Sequence, residues 1–429
     1  MNFKLKVISN FIRLRIQRNL YAANLQKIQR KHWRKLNVTL RKSPFYKELA
    51  EENADILSFP LINKAIFMEK FNAINTCKID REEAFSVAIK AETSRDFAPT
   101  INDVTIGLSS GTSGNRGLFL ATENERAQWV GCVLDRVIGF SLKKRSVAFF
   151  LRANSNLYDS VKSKVLQFEF FDLFEPLNDQ IGRLNSLQPN ILVAQPSLLL
   201  ELADKQEKGE LTLSPTKIIS VAEVLYPEDR KLLEKVFKQT IHQVYQCTEG
   251  LLATSCAHGT LHFNEDFLHI EKKYIDEDNK RFHPIITDLI RTSQPVIRYE
   301  LNDIIHEEKN CPCGSKMTGI KQIEGRSDDV LRFTSETGEE VKIFPDFFRR
   351  AIIMSNEKIT DYTLVQTDKK ELRLYINEDE VVFQDANKWI QKLLSDYNIN
   401  DVSILKEEKR NFEKGNKLRR IRNDYWKAN

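Results

Sequence analysis

Three short, continuous apolar runs constrain this chain more than any other feature: Val147-Ala148-Phe149-Phe150-Leu151, Ile191-Leu192-Val193-Ala194 and Ile218-Ile219-Ser220-Val221-Ala222. Runs this short that do not alternate with polar residues read as strands buried on both faces. Residues 122–140 and 227–238 predict helices, and Pro227-Glu228-Asp229 suits the start of the second. Alternation of strand and helix from about residue 103 to 305 predicts an α/β body with a largely parallel sheet. After Gly325-Arg326-Ser327-Asp328-Asp329 the pattern restarts. Leu364-Val365 and Leu372–Ile376 predict strands, and residues 383–395 an amphipathic helix. A chain of 429 residues exceeds one compact core. We therefore expect a body over residues 48–327 and a small C-terminal α+β domain over 328–429, preceded by a helical arm over 1–47.

The arm stands out by charge. It holds thirteen Lys or Arg and no Asp or Glu, so the rest of the chain is net acidic although the whole carries +5. Residues 3–20 place Phe3, Val7, Ile8, Phe11, Ile12, Leu14 and Ile16 at helical spacing between basic residues, and a second helix is predicted over about 22–42. Such a pair suits peripheral contact with a membrane or an acidic partner, or an arm packed on the body with its cations in water. No run of 18 apolar residues and no cleavable leader is present, which gives the expectation of a cytoplasmic protein. No nucleic-acid partner is expected. The six cysteines are too few and too uneven for a disulfide framework. Thiols used singly or as metal ligands are expected instead.

Residues 105–108 read as a strand running into Ser109-Ser110-Gly111-Thr112-Ser113-Gly114-Asn115-Arg116-Gly117. Its glycines allow tight turns that point backbone N–H groups at one place, and the hydroxyls add donors, as phosphate oxygens require. The Gly-Lys-Ser/Thr ending of a Walker loop is missing. Four more segments follow in order: Ser220-Val221-Ala222-Glu223, Tyr245-Gln246-Cys247-Thr248-Glu249-Gly250, Arg298-Tyr299-Glu300-Leu301-Asn302-Asp303 and Gly325-Arg326-Ser327-Asp328-Asp329.

Together these segments resemble the ordered motifs of the adenylate-forming superfamily, in its branch of phenylacetate–CoA ligases and deazaflavin-coenzyme adenylylating enzymes. The resemblance implies the adenylate-forming fold, with a large N-terminal α/β domain and a small, mobile C-terminal one. It implies ATP and Mg²⁺ as cofactors. Ser109, Ser110, Gly111, Thr112, Ser113 and Gly114 would hold the β- and γ-phosphates, Thr248 would meet the α-phosphate, and Glu249 would bind Mg²⁺. Ala222, Glu223 and Tyr245 would meet the adenine. Asp303 would accept from the ribose hydroxyls, with Arg326 near ribose and phosphate. Residues 410–420 resemble the C-terminal catalytic-lysine loop, with Lys417 as the candidate and Lys414 in reserve.

The implied reaction is adenylation of a small-molecule carboxylic acid with release of pyrophosphate. Transfer to CoA, to a carrier protein's phosphopantetheine thiol or to an amine would follow. The alternative is an adenylyltransferase that places AMP on a hydroxyl. Arg116 and Gln246 depart from the pattern, so the acid cannot be named from the resemblance. Finally, Cys256, His262, Cys311 and Cys313, with His258 as another possible ligand, offer the donor set of a structural Zn²⁺ site. The alternative is a polar loop of reduced thiols.

Overall fold

The computed structural model describes residues 2–21, 24–51, 54–94, 99–109, 116–139, 141, 143–151, 166–173, 175–278, 280–326, 329–356, 358–359, 361–408 and 419–425. The chain forms two compact units, Met1–Leu301 with His306–Gln322, and Asn302–Ile305 with Ile323–Asn429.

The first unit is organised by a large mixed sheet. Five neighbouring strands, Leu166–Asp172, Arg145–Leu151, Ile191–Ala194, Lys217–Ser220 and Ile241–Cys247, run parallel. Their apolar runs are continuous because both faces are covered. Ala148, Phe150, Leu192, Ala194 and Ile218 pack on one side, against helices Leu177–Leu187, Pro196–Glu207 and Pro227–Phe237. Val147, Ile191, Val193 and Ile219 pack on the other with Val137 and Ile138. Beyond Cys247 the pairing turns antiparallel through Gly250–Ser255 and Leu261–Phe263. The sheet is thus parallel over only part of its width, since these later strands are joined by turns too short for a crossover.

The basic arm forms two helices, Phe3–Tyr21 and Leu25–Leu40. The first lays Val7 against Ala127 and Val130 of helix Glu123–Val133. The second buries Ile28, Trp33, Leu36 and Leu40, and the Trp33 indole donates to the Ala54 carbonyl at 2.7 Å. Beneath the arm lies a buried charge network. Arg136, 8% exposed, donates to Asp266 and Asn264, both at 2.5 Å, and lies over the Phe267 ring. Asp135 meets Arg18 at 2.9 Å. Charges buried this deeply are tolerated only when paired and hydrogen-bonded.

The second unit has its own core. Helices Pro345–Ser355 and Glu380–Asp396 cover a four-stranded sheet in the order Ser403–Glu407, Glu371–Tyr375, Thr363–Asp368, Ile421–Asn423. Phe348, Ile352, Leu364, Leu374, Phe383 and Ile390 fill the space between them. Among the described residues, no helix is long and apolar enough to cross a membrane.

Candidate active site

Parallel strands place their carboxyl ends on one edge of a sheet, and a crevice beyond that edge is where such sheets bind ligands. Here Ala194 pairs with Ser220, so those two strand ends are aligned, and strand Ile241–Cys247, whose Gln243 pairs with Ser220, continues to Cys247 beyond them. The turn after Ser220 is fastened by the Val221 N–H, which donates to the Ala194 carbonyl at 3.0 Å. Ala222 adopts φ 69°, a left-handed conformation that costs a non-glycine residue about 1–2 kcal/mol. The turn delivers the Glu223 carboxylate to the Ser197 N–H (3.2 Å) in the first turn of helix Pro196–Glu207. A carboxylate there also complements the positive end of the helix dipole.

Strand Ile241–Cys247 carries half-buried Tyr245 and ends in Thr248-Glu249. A register shift at Tyr245/Gln246 marks a bulge, a common device for re-aiming side chains beside a site. The Trp129 indole donates to the side-chain Oε1 of Gln246 at 3.3 Å. Both oxygens of Glu249 are held by hydroxyl donors: Tyr299 reaches one at 2.8 Å and Thr248 the other at 2.9 Å. Burial, and then the Glu249 charge, push the Tyr299 phenol well above its ordinary range. It therefore stays a proton donor at any physiological pH. Two fixed donors leave this carboxylate oriented, with lone pairs still available to a hard cation.

Ser109 opens the expected phosphate loop at the tip of a hairpin formed by Val104–Leu108 and Leu118–Ala121. Gly107 lets the Phe119 ring lie across the hairpin, since a Cβ there would fall 2.1 Å from the ring and the ring would have to move. The Ser109 N–H donates to the Gly117 carbonyl at 2.8 Å, and the Gly117 N–H to the Ser109 hydroxyl at 2.7 Å, so the two loop ends are pinned together. Arg116 grips the Glu92 carboxylate with both terminal nitrogens (2.7 and 2.9 Å). Ser110, Gly111, Thr112, Ser113 and Gly114 lie outside the described residues.

A side-chain bridge joins this hairpin to Thr248-Glu249. Gln294 accepts through Oε1 from the Leu120 N–H (3.1 Å) and from Arg291 (2.6 Å), and Arg291 donates to the Thr248 carbonyl at 2.7 Å. The corner is shaped by Asp288, which accepts from the N–H groups of Ile290 and Arg291. Burial raises the Asp288 carboxyl to about 6. An acid whose folded pKa lies above its unfolded one loses stability as pH rises from the unfolded value to the folded value. We therefore expect Asp288→Asn to gain stability relative to the parent chain as pH is raised from about 4 to about 6, reaching a plateau on the order of 2 kcal/mol. Parallel urea titrations across that range provide the check.

In the second unit Arg326 Nε lies 3.8 Å from Asp303. Both side chains remain partly exposed, at 34% and 18%. Arg419 forms an ion pair with Asp329. That pair ties the far end of the expected lysine loop to the residue after Asp328. Lys414, Lys417 and Asp328 themselves lie outside the described residues.

The cysteine cluster belongs to the first unit. Cys256 follows strand Gly250–Ser255, His262 lies in Leu261–Phe263, and Cys311 and Cys313 lie between strands Asp303–Glu308 and Gly319–Arg326. Pairing of His262 with Gly319 brings the two segments together. Their four donor atoms all lie within 4.8 Å of one another, with Cys256 Sγ 3.6 Å from Cys311 Sγ and Cys313 Sγ 3.3 Å from His262 Nε2. Tetrahedral Zn²⁺ with bonds of about 2.0–2.3 Å requires edges of about 3.5–3.8 Å, so the set fits that ion. His262 Nδ1 lies 3.1 Å from the Met317 carbonyl. Since a carbonyl only accepts, Nδ1 carries the proton and the Nε2 lone pair faces the thiols. His258 is exposed and outside the cluster.

With this geometry in view, comparison with solved structures is decisive for architecture. The chain superposes on 2-hydroxyisobutyryl-CoA ligase, in the postadenylation state in complex with R3-HIB-AMP, with a TM-score of 0.63. That match covers 93% of this chain and 88% of the ligase at 16% identity. The fold is that of the adenylate-forming enzymes. By sequence the chain is 27% identical to Protein CapK of Staphylococcus aureus over 50% of its length, a match spanning 46% of that relative. It is 22% identical to indoleacetate–lysine synthetase of Pseudomonas savastanoi over 64% of its length and 77% of the synthetase. No protein-family model matches the chain.

The bridging residues belong to no phosphate-loop motif. Tyr299 lies inside a recognised segment, so its position was visible but its partner was not. Arg291 and Gln294 carry no local signal. Their partners are 43 and 174 residues away along the chain.

Proposed function

We propose that the chain activates a small carboxylic acid with Mg·ATP and passes the acyl group to a thiol or an amine. The observation that carries this reading is the hydrogen-bonded bridge from the Ser109–Gly117 hairpin through Gln294 and Arg291 to Thr248-Glu249, on the adenylate-forming fold. In the first step a carboxylate oxygen attacks the α-phosphorus, the bond to the β-phosphate oxygen breaks, and pyrophosphate leaves. In the second the acceptor attacks the acyl carbon and AMP leaves.

Several anions meet in the first step, so the site must offset their charge. Backbone donors of residues 109–114 would cradle the β- and γ-phosphates, and the Thr248 hydroxyl would turn from Glu249 to donate to the α-phosphate. Glu249 would hold Mg²⁺, which supplies Lewis-acid stabilisation of phosphate charge. Ala222, Glu223 and Tyr245 would frame the adenine, while Asp303 and Arg326 would take the ribose. Lys417 would neutralise charge between the attacking carboxylate and the α-phosphate, with Lys414 in reserve. Residues from 328 onward would act as the mobile C-terminal domain. Cys256, His262, Cys311 and Cys313 would hold a structural zinc, since four protein ligands leave no open position. An amine acceptor is supported by the likeness to an indoleacetate–lysine synthetase, and a CoA thiol by the ligase fold match. Trp129 and Gln246, joined beside Glu249, are the side chains we assign to the acid's surroundings.

ATP–pyrophosphate exchange screened across aryl, fatty and amino acids tests the proposal. One acid class should support exchange. Lys417→Ala should lower that exchange by about 100-fold or more while leaving ATP binding intact. Exchange with no acid, alongside AMP transfer to a hydroxyl, would overturn the reading.

A further inference from the structure

Helix Phe3–Tyr21 has two apolar faces, and the body covers only one of them. Val7, which meets helix Glu123–Val133, and Leu14, on the same face, are 4% and 1% exposed. Leu5, Ile8, Ile12 and Ile16 are 56%, 52%, 49% and 46% exposed. Their spacing of three, four and four residues sets them in one stripe, pointing about 180° from Val7 and Leu14. Large aliphatics in an unbroken row are not the ordinary scatter of apolar side chains on a protein surface.

The charges beside the stripe indicate what covers it. Lys4 lies on one shoulder and Arg13 on the other, and both are exposed. Lys6 and Arg15, on the same two shoulders, are already engaged with Glu123 and Asp135 of the body. The following helix, Leu25–Leu40, exposes Lys27, Arg30, Lys31, Arg34 and Lys35. No acidic residue occurs between Met1 and Lys47. A second copy seated on this stripe would bring these like-charged shoulders together with no carboxylate to offset them. A bilayer of anionic lipid meets both requirements, with acyl chains for the aliphatics and phosphates for the flanking cations. The same charges keep the helix from spanning the bilayer.

We propose that helix Phe3–Tyr21 is an interfacial anchor that lays Leu5, Ile8, Ile12 and Ile16 into the surface of an anionic membrane. The contact is peripheral and reversible, because it joins a short aliphatic stripe to salt-sensitive charge attraction. It is independent of the chemistry assigned to the catalytic crevice.

Co-sedimentation of the full chain with vesicles decides the matter. We expect binding to vesicles of phosphatidylglycerol in phosphatidylcholine, weak binding to phosphatidylcholine alone, and release at about 0.5 M salt, where charge attraction is screened within a few ångströms. The variant L5S/I8S/I12S/I16S should lose at least about tenfold in partitioning while keeping its melting temperature, because these side chains touch solvent rather than core. K4E/R13E should lose about tenfold on anionic vesicles and little on neutral ones, and it keeps the test open should the first variant misfold. Failure of the parent chain to bind anionic vesicles, or equal binding by both variants, would overturn the proposal. So would a parent dimer in light scattering that the serine variant abolishes without any vesicle binding, which would assign the stripe to a second copy.

Discussion

Glu249→Gln is expected to lower carboxylate-dependent ATP–pyrophosphate exchange by at least about 100-fold, with a melting temperature close to that of the parent chain. The substitution keeps shape and hydrogen-bonding capacity: the Tyr299 and Thr248 hydroxyls, at 2.8 and 2.9 Å, can rotate to meet an amide as well as a carboxylate. What disappears is the negative charge. A divalent cation bridging phosphates needs an anionic oxygen ligand, and an amide oxygen binds it far more weakly. The surroundings stay in place, because Arg291 holds the Thr248 backbone and Gln294 holds Arg291. Tyr299→Phe provides a graded companion. It frees one Glu249 oxygen without removing charge, so a loss of about tenfold is expected from misorientation alone. Undiminished exchange in Glu249→Gln would remove Glu249 from the proposed Mg²⁺ role.

The second large effect concerns the cysteine cluster. The purified protein is expected to carry one zinc per chain by elemental analysis, and Cys313→Ser to carry almost none. Structural zinc sites in small peptides contribute about 10–16 kcal/mol of binding free energy at neutral pH. Here the ion would clamp the 309–318 connection onto strand Leu261–Phe263, within a unit that has other cores, so only part of that should appear as global stability. We expect Cys313→Ser, or a strong chelator, to lower the melting temperature by about 5–10 °C and to open the 309–318 segment to proteolysis. His258→Ala should retain zinc, because that imidazole lies outside the cluster, whereas His262→Ala should lose it. A protein free of metal, with a melting temperature indifferent to chelator, would instead make the cluster four reduced ligands in a polar loop.

These two sites differ in how visible they were beforehand. Cys256, His262, Cys311 and Cys313 could be read as a donor set, but the choice between His258 and His262 could not be settled. The two residues are separated by a turn at Gly259, which has φ 78°, and only the pairing of His262 with Gly319 turns one imidazole toward Cys313. The segments proposed to hold phosphate could be picked out because close approach of backbone to phosphate demands small residues in a short stretch, a local requirement that leaves a local mark. The Glu249–Tyr299 contact and the Arg291–Gln294 bridge leave none. Arginine, glutamine and tyrosine are ordinary residues until another part of the chain arrives beside them.

The same division holds for the fold. Apolar runs at 147–151, 191–194 and 218–222, the helix at 227–238 and the alternation in the tail follow from burial of near neighbours, and strands Arg145–Leu151, Ile191–Ala194 and Lys217–Ser220 stand at those runs. Sequence alone also determined the charge contrast between arm and body, because charge needs no conformation to be counted. Tertiary structure alone decided that the sheet turns antiparallel after Cys247 and that one aliphatic face of helix Phe3–Tyr21 is buried while the other is exposed. It also decided which distant side chains complete Glu249. Periodicity reports that a residue prefers to be buried, whereas its partner is chosen by closure of the sheet, a long-range event with no counterpart in neighbouring residues.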